Sequence, residues 1–368
     1  MLKKLAAISV AVLTMSVPVQ AQDLKSMSWD EIVTQAKKEG ELTWFNWFNQ
    51  AKFREQVKQF ESEYGIKVTI PDGDSKANMN KFLAERGRAE GDIDVLSTAG
   101  KEIKKLPEDS FYGPLSKQLP EAAKLRYSIE GTDSKGYAVA FWGNQTVIAY
   151  DSARTQEADL PRTLDQFSAF LQNHPGELGF NVENGGAGPA FIEGVVRQFA
   201  PDVDYAAGTT NSETQRKFAP AWDWFNKRKD QFVITASYAD SVTRLTSGEF
   251  TIVAGWEDYI AALQKRGEVP KTIKVYVPDF GMPGGGNVVF IPANAKHKAA
   301  ALVFINWLTS AKTQTQFTQE FGSAPQNTDA DGTAALVPAT QRKASFTWAA
   351  QPLSDDIKTN SSRTSPLQ

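Results

Sequence analysis

The apolar positions of this chain alternate between short unbroken runs and helical spacings of three to four residues. The segment 28–40 (SWDEIVTQAKKEG) has a serine cap, a glutamate three positions later and a closing glycine, which are the start and stop signals of a helix. The run 41–45 (ELTWF) predicts a strand. A helix follows over 50–65, with Asn49 as its predicted cap and large apolar residues on one face. Continued through residue 98, this β-α-β-α-β order predicts a mostly parallel sheet with helices on both faces.

Two long β-rich stretches interrupt this alternation. One is GYAVAFWGNQTVIAYD (136–151), and the other is IKVYVPDFGMPGGGNVVFIP (273–292), which is broken by glycine and proline. A segment of this length can leave one sheet and enter another, so both are predicted to connect two lobes as a hinge. The apolar helix pair in 297–322 would then complete the first lobe.

The length of the chain agrees with two lobes. With 368 residues and ordinary hydrophobic and charged fractions, the chain is longer than a single hydrophobic core usually accommodates. The predicted division gives residues 22–140 and 281–368 to the first lobe and residues 141–280 to the second.

The first 21 residues have the layout of a secretory signal peptide. Lys3 and Lys4 precede an uncharged stretch that is too short to span a bilayer. Val19 and Ala21 are small residues at the two positions that a signal peptidase recognises before its cleavage site. We therefore expect a mature protein that starts at Gln22, lies in the periplasm and does not insert into the membrane. Since no cysteine follows the signal, we expect no lipid anchor of the usual bacterial kind.

Composition and charge exclude several classes of function. The formal net charge of −3 argues against nucleic acid or an anionic membrane as a partner. With no cysteine and only His174 and His297, a transition-metal site or a Ser-His-Asp triad has little to build from. No Gly-x-Ser-x-Gly motif is present either, so we expect neither a cofactor nor an enzyme.

The ordered motifs of the chain resemble a known family. After the signal peptide they are ELTWFNWF, FREQVKQFESEYGIKV, GDIDVLST, GYAVAFWGNQTVIAYD, LTSGEFTIVAGWEDYI, FGMPGGGNVVFIPANAKHKAAALVFINWLTS and EFGSAPQN. Each is weak alone, but their order and spacing resemble the extracellular solute-binding proteins of ABC importers, the type 2 periplasmic binding proteins. The branch is the one that includes polyamine, thiamine, ferric-iron and maltose binders.

The resemblance implies a two-lobed α/β fold in which each lobe is a mostly parallel sheet flanked by helices and crossover strands form the hinge. It implies capture of a small-molecule ligand in the cleft by hinge closure, with the permease subunits of the transporter as partners. We expect a monomer. The family pattern carries over onto FNW at 45–47 and onto Trp256, with Glu257 or Asp258 as the acidic residue beside it.

The carboxyl ends of the strands predict part of the site, because ligands of open α/β sheets bind there. The predicted site residues past the first and third strands are Asn46, Trp47, Phe48, Ser97 and Thr98. By contrast, Trp44 and Phe45 are predicted to be core, since a parallel strand is buried on both faces.

Further candidates lie along the rest of the chain. They are Trp142, Gly186, Trp256, Glu257, Asp258, Tyr259 and Asn287. Trp142 either faces the ligand or packs the hinge, and Tyr259 either shares the face of Trp256 or is core. Gly186 belongs to a Gly-rich turn whose free N–H groups would hold an anionic group, or which simply turns the chain.

Three tryptophans and an acid in one cleft would favour an organic cation. Trp47, Trp142 and Trp256 offer aromatic faces, and a carboxylate supplies the counter-charge. We expect a cationic or zwitterionic amine, such as a polyamine, a quaternary amine or thiamine. The alternatives are a sugar or polyol in the same fold and, from another class, an exported α/β hydrolase. Iron is rejected because Tyr238 and Tyr259 stand apart in the sequence, whereas the ferric-iron binders of the family commonly use adjacent tyrosines.

Overall fold

Helices and strands alternate along the computed structural model, which describes residues 23–129, 132–207 and 209–363. The predicted signal peptide lies outside the described residues. The strands are β1 Glu41–Phe45, β2 Lys67–Thr69, β3 Val95–Ala99, β4 Ser128–Ile129, β5 Thr132–Asp133, β6 Ala138–Asp151, β7 Leu178–Asn181, β8 Phe232–Thr235, β9 Ile252–Trp256, β10 Ile273–Tyr276 and β11 Gly284–Phe290. The helices are α1 Trp29–Glu39, α2 Gln50–Tyr64, α3 Ser75–Glu85, α4 Gly100–Ile103, α5 Leu164–Asn173, α6 Ala187–Phe199, α7 Ser212–Asn226, α8 Tyr238–Thr246, α9 Glu257–Lys265, α10 Lys298–Thr309, α11 Ala311–Phe321 and α12 Gln351–Arg363.

One long strand joins the two halves of the molecule. The main sheet has the order β2-β1-β3-β11-β6-β9-β7-β8, and β10 also pairs with β6. The first part of β6 pairs with β11, and its second part pairs with β9 and β10. We call the half that contains β1, β2, β3 and β11 the first lobe, and the half that contains β7 to β10 the second lobe.

The direction of the strands refines the predicted sheet. β1 runs parallel to β2 and β3, and β7 runs parallel to β8 and β9. The strands that carry the chain between the lobes, β6 and β11, are antiparallel to their neighbours. The sheet is therefore mixed, because the chain leaves the first lobe along β6 and returns to it along β11 in the opposite direction.

The first strand forms part of the core, as its apolar run predicts. Trp44 is fully buried and Phe45 is 8% exposed. The ring of Trp44 packs against Phe53 of α2 and Phe304 of α10, with centroid distances of 5.0 Å and 5.2 Å. The strand is thus fixed from both flanking helices.

The first two helices differ in how they begin. Ser28 and Glu31 form the predicted capping box of α1, which ends at Gly40 with a left-handed backbone. Asn49 precedes α2 with φ of +48°, and its side chain makes no capping hydrogen bond. Asn49 thus takes the predicted N-cap position of α2, but without a hydrogen bond from its side chain.

The C-terminal segment packs on the second lobe. Val337, Ala349, Leu353 and Ile357 are buried in the hydrophobic cluster of that lobe, and α12 contacts α6. The predicted division, which assigned all of 281–368 to the first lobe, differs from this packing because the apolar side chains of the segment meet the second core. Within the described residues, no helix is long and apolar enough to cross a membrane.

Candidate functional site

A cavity of about 510 Å³ lies where the two lobes meet the crossover strands. Its size falls within the roughly 300–1,000 Å³ of typical small-molecule sites. The first lobe contributes Trp47, Phe48, Asn49, Lys52, Ala99 and Phe321 to the wall. The crossover strands contribute Trp142, Asn144, Gly285, Gly286 and Asn287, and the second lobe contributes Tyr238, Trp256, Asp258, Tyr259, Ala262 and Arg266.

The predicted site residues divide into two groups. Those that the structure places on this wall are Trp47, Phe48, Trp142, Trp256, Asp258, Tyr259 and Asn287. Those that it does not place there are Asn46, Ser97, Thr98, Gly186 and Glu257.

Asn46 supports the wall from behind. It is fully buried, and its side-chain Nδ2 donates a hydrogen bond to the backbone carbonyl of Phe48 at 2.5 Å. This contact turns the chain at the end of β1, so that Trp47 and Phe48 face the cavity with their ring centroids 5.1 Å apart. Asn46 therefore positions the aromatic residues instead of lining the cavity.

Ser97 and Thr98 are internal to the sheet. The Ser97 hydroxyl accepts a hydrogen bond from the indole Nε1 of Trp44 at 2.7 Å. Thr98 is opposite Val288 in the pairing with β11. Because β3 extends to Ala99, the exit of this strand lies one residue later than predicted, and Ala99 is the residue on the wall.

The consecutive acids Glu257 and Asp258 face different environments at the start of α9. Glu257 is fully buried, and Arg342 donates to both of its carboxylate oxygens at 2.7 Å and 2.6 Å. Burial raises the pKa of Glu257 to about 7, although Arg342 acts in the opposite direction. Glu257 thus ties α9 to the C-terminal segment and is turned away from the cavity.

Asp258 is the carboxylate on the cavity wall. Its Oδ2 accepts hydrogen bonds from the indole Nε1 of Trp142 and from Asn144 Nδ2, both at 3.4 Å, while Oδ1 accepts from the backbone N–H of Tyr259 at 3.0 Å. Burial raises the pKa of Asp258 above its ordinary value, and the hydrogen bonds from Asn144 and Trp142 act against this shift. The two contacts at 3.4 Å are long for hydrogen bonds, so Oδ2 retains capacity for a closer donor.

Two aromatic rings pack directly against the backbone of the Gly-rich turn at Gly185 and Gly186. A side chain at Gly185 would lie 2.3 Å from the ring of Tyr238, and one at Gly186 would lie 3.0 Å from the indole of Trp256. Both rings line the cavity. The glycines of this turn therefore let Tyr238 and Trp256 approach the backbone, and Gly186 stands behind Trp256.

Tyr238 and Tyr259 are far apart in the sequence but pack together. Their ring centroids are 4.8 Å apart in an edge-to-face arrangement. Burial raises the pKa of Tyr238, and the neighbouring Tyr259 and Asp258 act in the same direction. Their separation in the sequence, on which iron was rejected, therefore does not keep them apart in the structure, because α8 and α9 bring them to the same wall.

Sequence reasoning missed Asn49, Lys52, Ala99, Asn144, Tyr238, Ala262, Arg266, Gly285, Gly286 and Phe321. A signal existed for two of them, since Asn49 and Lys52 directly follow the aromatic residues at the end of β1. Phe321 had no comparable signal, because it reaches the wall from the far end of the chain through the packing of α11.

With this geometry in view, the comparisons with known proteins define the class. The chain belongs to the family of bacterial extracellular solute-binding proteins, whose family model matches residues 55–344. It is 23% identical over 319 residues to Protein YnjB of Escherichia coli, a match that covers 78% of this chain and 78% of that protein. It is 21% identical over 246 residues to the "Probable ABC transporter periplasmic-binding protein y4fP" of Sinorhizobium fredii, covering 67% of this chain and 63% of that protein.

Solved structures share the two-lobed fold. The GacH receptor of Streptomyces glaucescens, known with acarbose bound, has a TM-score of 0.65 at 16% identity, covering 89% of this chain and 95% of that one. The spermidine/putrescine-binding PotD of Streptococcus pneumoniae has a TM-score of 0.63 at 14% identity, covering 88% and 99%. Iron-bound HitA of Pseudomonas aeruginosa has a TM-score of 0.61 at 18% identity, with the same coverage of 88% and 99%. These likenesses confirm the predicted fold, and their ligands differ too much to indicate one for this chain.

Proposed function

We propose that this protein is the periplasmic solute-binding component of an ABC importer and that it captures a small organic amine in the inter-lobe cavity. Membership of the solute-binding family supports the general role. The name of the Sinorhizobium relative supports the connection to an ABC transporter. In this proposal the lobes close around the solute through β6 and the segment before β11, and the closed form docks on the permease.

The amine class rests on one observation above all, which is the position of the Asp258 carboxylate among aromatic rings. Trp142 donates to it, and Trp256 and Tyr259 are its neighbours along the chain on the same wall. An aromatic face contributes roughly 0.5–2 kcal/mol to the binding of a cation. A carboxylate that burial has made costly to ionise gains most from a cationic partner. A bound ammonium would supply the short hydrogen bond that Asp258 Oδ2 lacks.

The direct test is a titration of the purified protein with straight-chain amines, quaternary amines, amino acids, thiamine and sugars, followed by tryptophan fluorescence and calorimetry. We expect saturable binding of at least one amine. Asp258→Asn removes the charge but keeps the shape, and it should weaken that binding at least tenfold, about the lower end for a hydrogen bond to a charged group.

Asp230→Asn is the matched control, because Asp230 is an exposed carboxylate outside the cavity. It should leave the affinity unchanged. Saturable binding of a sugar or polyol with no response to any amine would contradict the proposed ligand class.

A further inference from the structure

The charged side chains on the cavity wall are not balanced for a purely cationic ligand. Among the described residues that line the cavity, the acid is Asp258 and the bases are Lys52 and Arg266. Lys52 belongs to α2 in the first lobe, and Arg266 follows α9 in the second lobe. The wall therefore carries a positive group on each lobe and a negative group near the crossover strands.

Lys52 is the base on the wall that forms no direct ion pair. Within the described residues its ammonium forms no salt bridge, and it lies 5.5 Å from the centre of the Phe321 ring. It is partly buried, so solvent screens its charge incompletely. Arg266 is already paired with Glu268 on the surface. The pKa of Glu268 is lowered chiefly by its hydrogen bond from Arg266 and further by the charge of Lys52, so Glu268 lies within electrostatic reach of both bases.

These positions impose a requirement on the ligand. A diamine or other polycation bound at Asp258 would place a second positive charge in a cavity that already contains Lys52. An anionic group bound between Lys52 and Arg266 would instead balance the charge of Lys52 and accept charge-assisted hydrogen bonds from both lobes.

We propose that the captured solute is a zwitterion, whose ammonium binds at Asp258 and whose carboxylate or similar anionic group binds between Lys52 and Arg266. This inference rests on the proposed amine site, and it narrows the amine class by excluding polyamines and other purely cationic solutes. It also gives Lys52 a role in closure, because the anionic end of the solute links one lobe to the other.

The test compares three matched series of probes by calorimetry, namely straight-chain ω-amino acids of increasing length, monoamines of the same lengths and diamines of the same lengths. We expect an amino acid to bind more tightly than its matched monoamine and diamine. Lys52→Gln should weaken binding of that amino acid at least tenfold, about the lower end for a hydrogen bond to a charged group. The same variant should leave any binding of the monoamine nearly unchanged.

Charge reversal sharpens the test. Lys52→Glu should shift the preference from the amino acid towards the diamine. Lys58→Gln is the matched control, because Lys58 lies on the same helix outside the cavity and is 62% exposed. It should change neither affinity.

The outcomes separate the two proposals. A diamine or monoamine that binds more tightly than every amino acid, or an amino acid whose affinity does not depend on Lys52, would overturn the zwitterion inference and leave the amine site intact. If no member of the three series bound, the zwitterion inference would be overturned, and the amine site itself would fail as well if neither the quaternary amines nor thiamine bound.

Discussion

The two lobes build their walls of the cavity in different ways. On the first lobe, Phe48 continues into a buried aromatic cluster, with ring centroids 5.5 Å from Phe53 and 5.1 Å from Trp142. On the second lobe, Trp256 and Tyr238 rest on glycines of a turn, and beside them stands the carboxylate of Asp258. The first wall continues a buried aromatic cluster, whereas the second wall consists of partly buried rings and a charge. Changes in the buried part of the first wall should therefore affect stability, and changes in the rings and the carboxylate of the second should affect mainly the ligand.

The largest expected effect is at Trp142, which belongs to both the core and the cavity. It is 1% exposed, and its ring also lies 5.5 Å from Phe321. Trp142→Ala should lower the free energy of unfolding by about 3–5 kcal/mol, as for other buried aromatic truncations, in urea denaturation. Trp142→Phe keeps most of the ring contacts and should lose much less. Equal stabilities for the two variants would show that this ring is not part of the core.

The next effect concerns the ion pair that anchors the second wall. Arg342→Met leaves the fully buried Glu257 without its cationic partner. The expected cost is about 3 kcal/mol in the free energy of unfolding, at the lower end for a broken buried pair because Arg342 is partly exposed. Adding Glu257→Gln to this variant should recover a large part of the loss. An Arg342→Met protein as stable as the parent would refute the anchoring role.

The smallest effect on stability is expected at Trp47. Its ring packs on Phe48 at the rim and is only partly buried. Trp47→Ala should leave the melting temperature of the empty protein nearly unchanged while weakening amine binding about 2- to 30-fold, which corresponds to one aromatic face on a cation. Thermal unfolding and calorimetry on the same samples separate the two effects. A large drop in melting temperature would assign Trp47 to the core.

The contrast between the walls also explains how far the sequence could predict the site. The buried run at Trp44 and Phe45 and the turn outward at Trp47 follow from the apolar pattern and from the rule that ligands lie beyond the strand ends. That rule failed at Ser97 and Thr98, because the exit of β3 lies one residue further along the chain. Strand ends are the least certain part of such predictions.

Other features of the site depend on tertiary packing. The local sequence does not show which of Glu257 and Asp258 faces the cavity. The two side chains point in different directions at the start of α9, and it is the contact with Arg342, 85 residues later, that holds Glu257 away from the cavity. Tyr238 meets Tyr259 only through the packing of two helices. The C-terminal helix α12 likewise has few large apolar residues, so its sequence does not show which lobe it packs on. It packs on the second lobe through contacts with α6.

The most direct measurement is the pH dependence of the dissociation constant for the best-bound amine. Burial raises the pKa of Asp258 in the empty protein, and a bound ammonium favours the ionised carboxylate and so lowers that pKa. The affinity should therefore be constant above the pKa of Asp258 in the empty protein and fall by up to about tenfold per pH unit as the pH drops below it. In Asp258→Asn this component of the pH dependence should be absent. An affinity whose pH dependence is the same in both proteins would contradict the assignment of Asp258 as the partner of the ammonium.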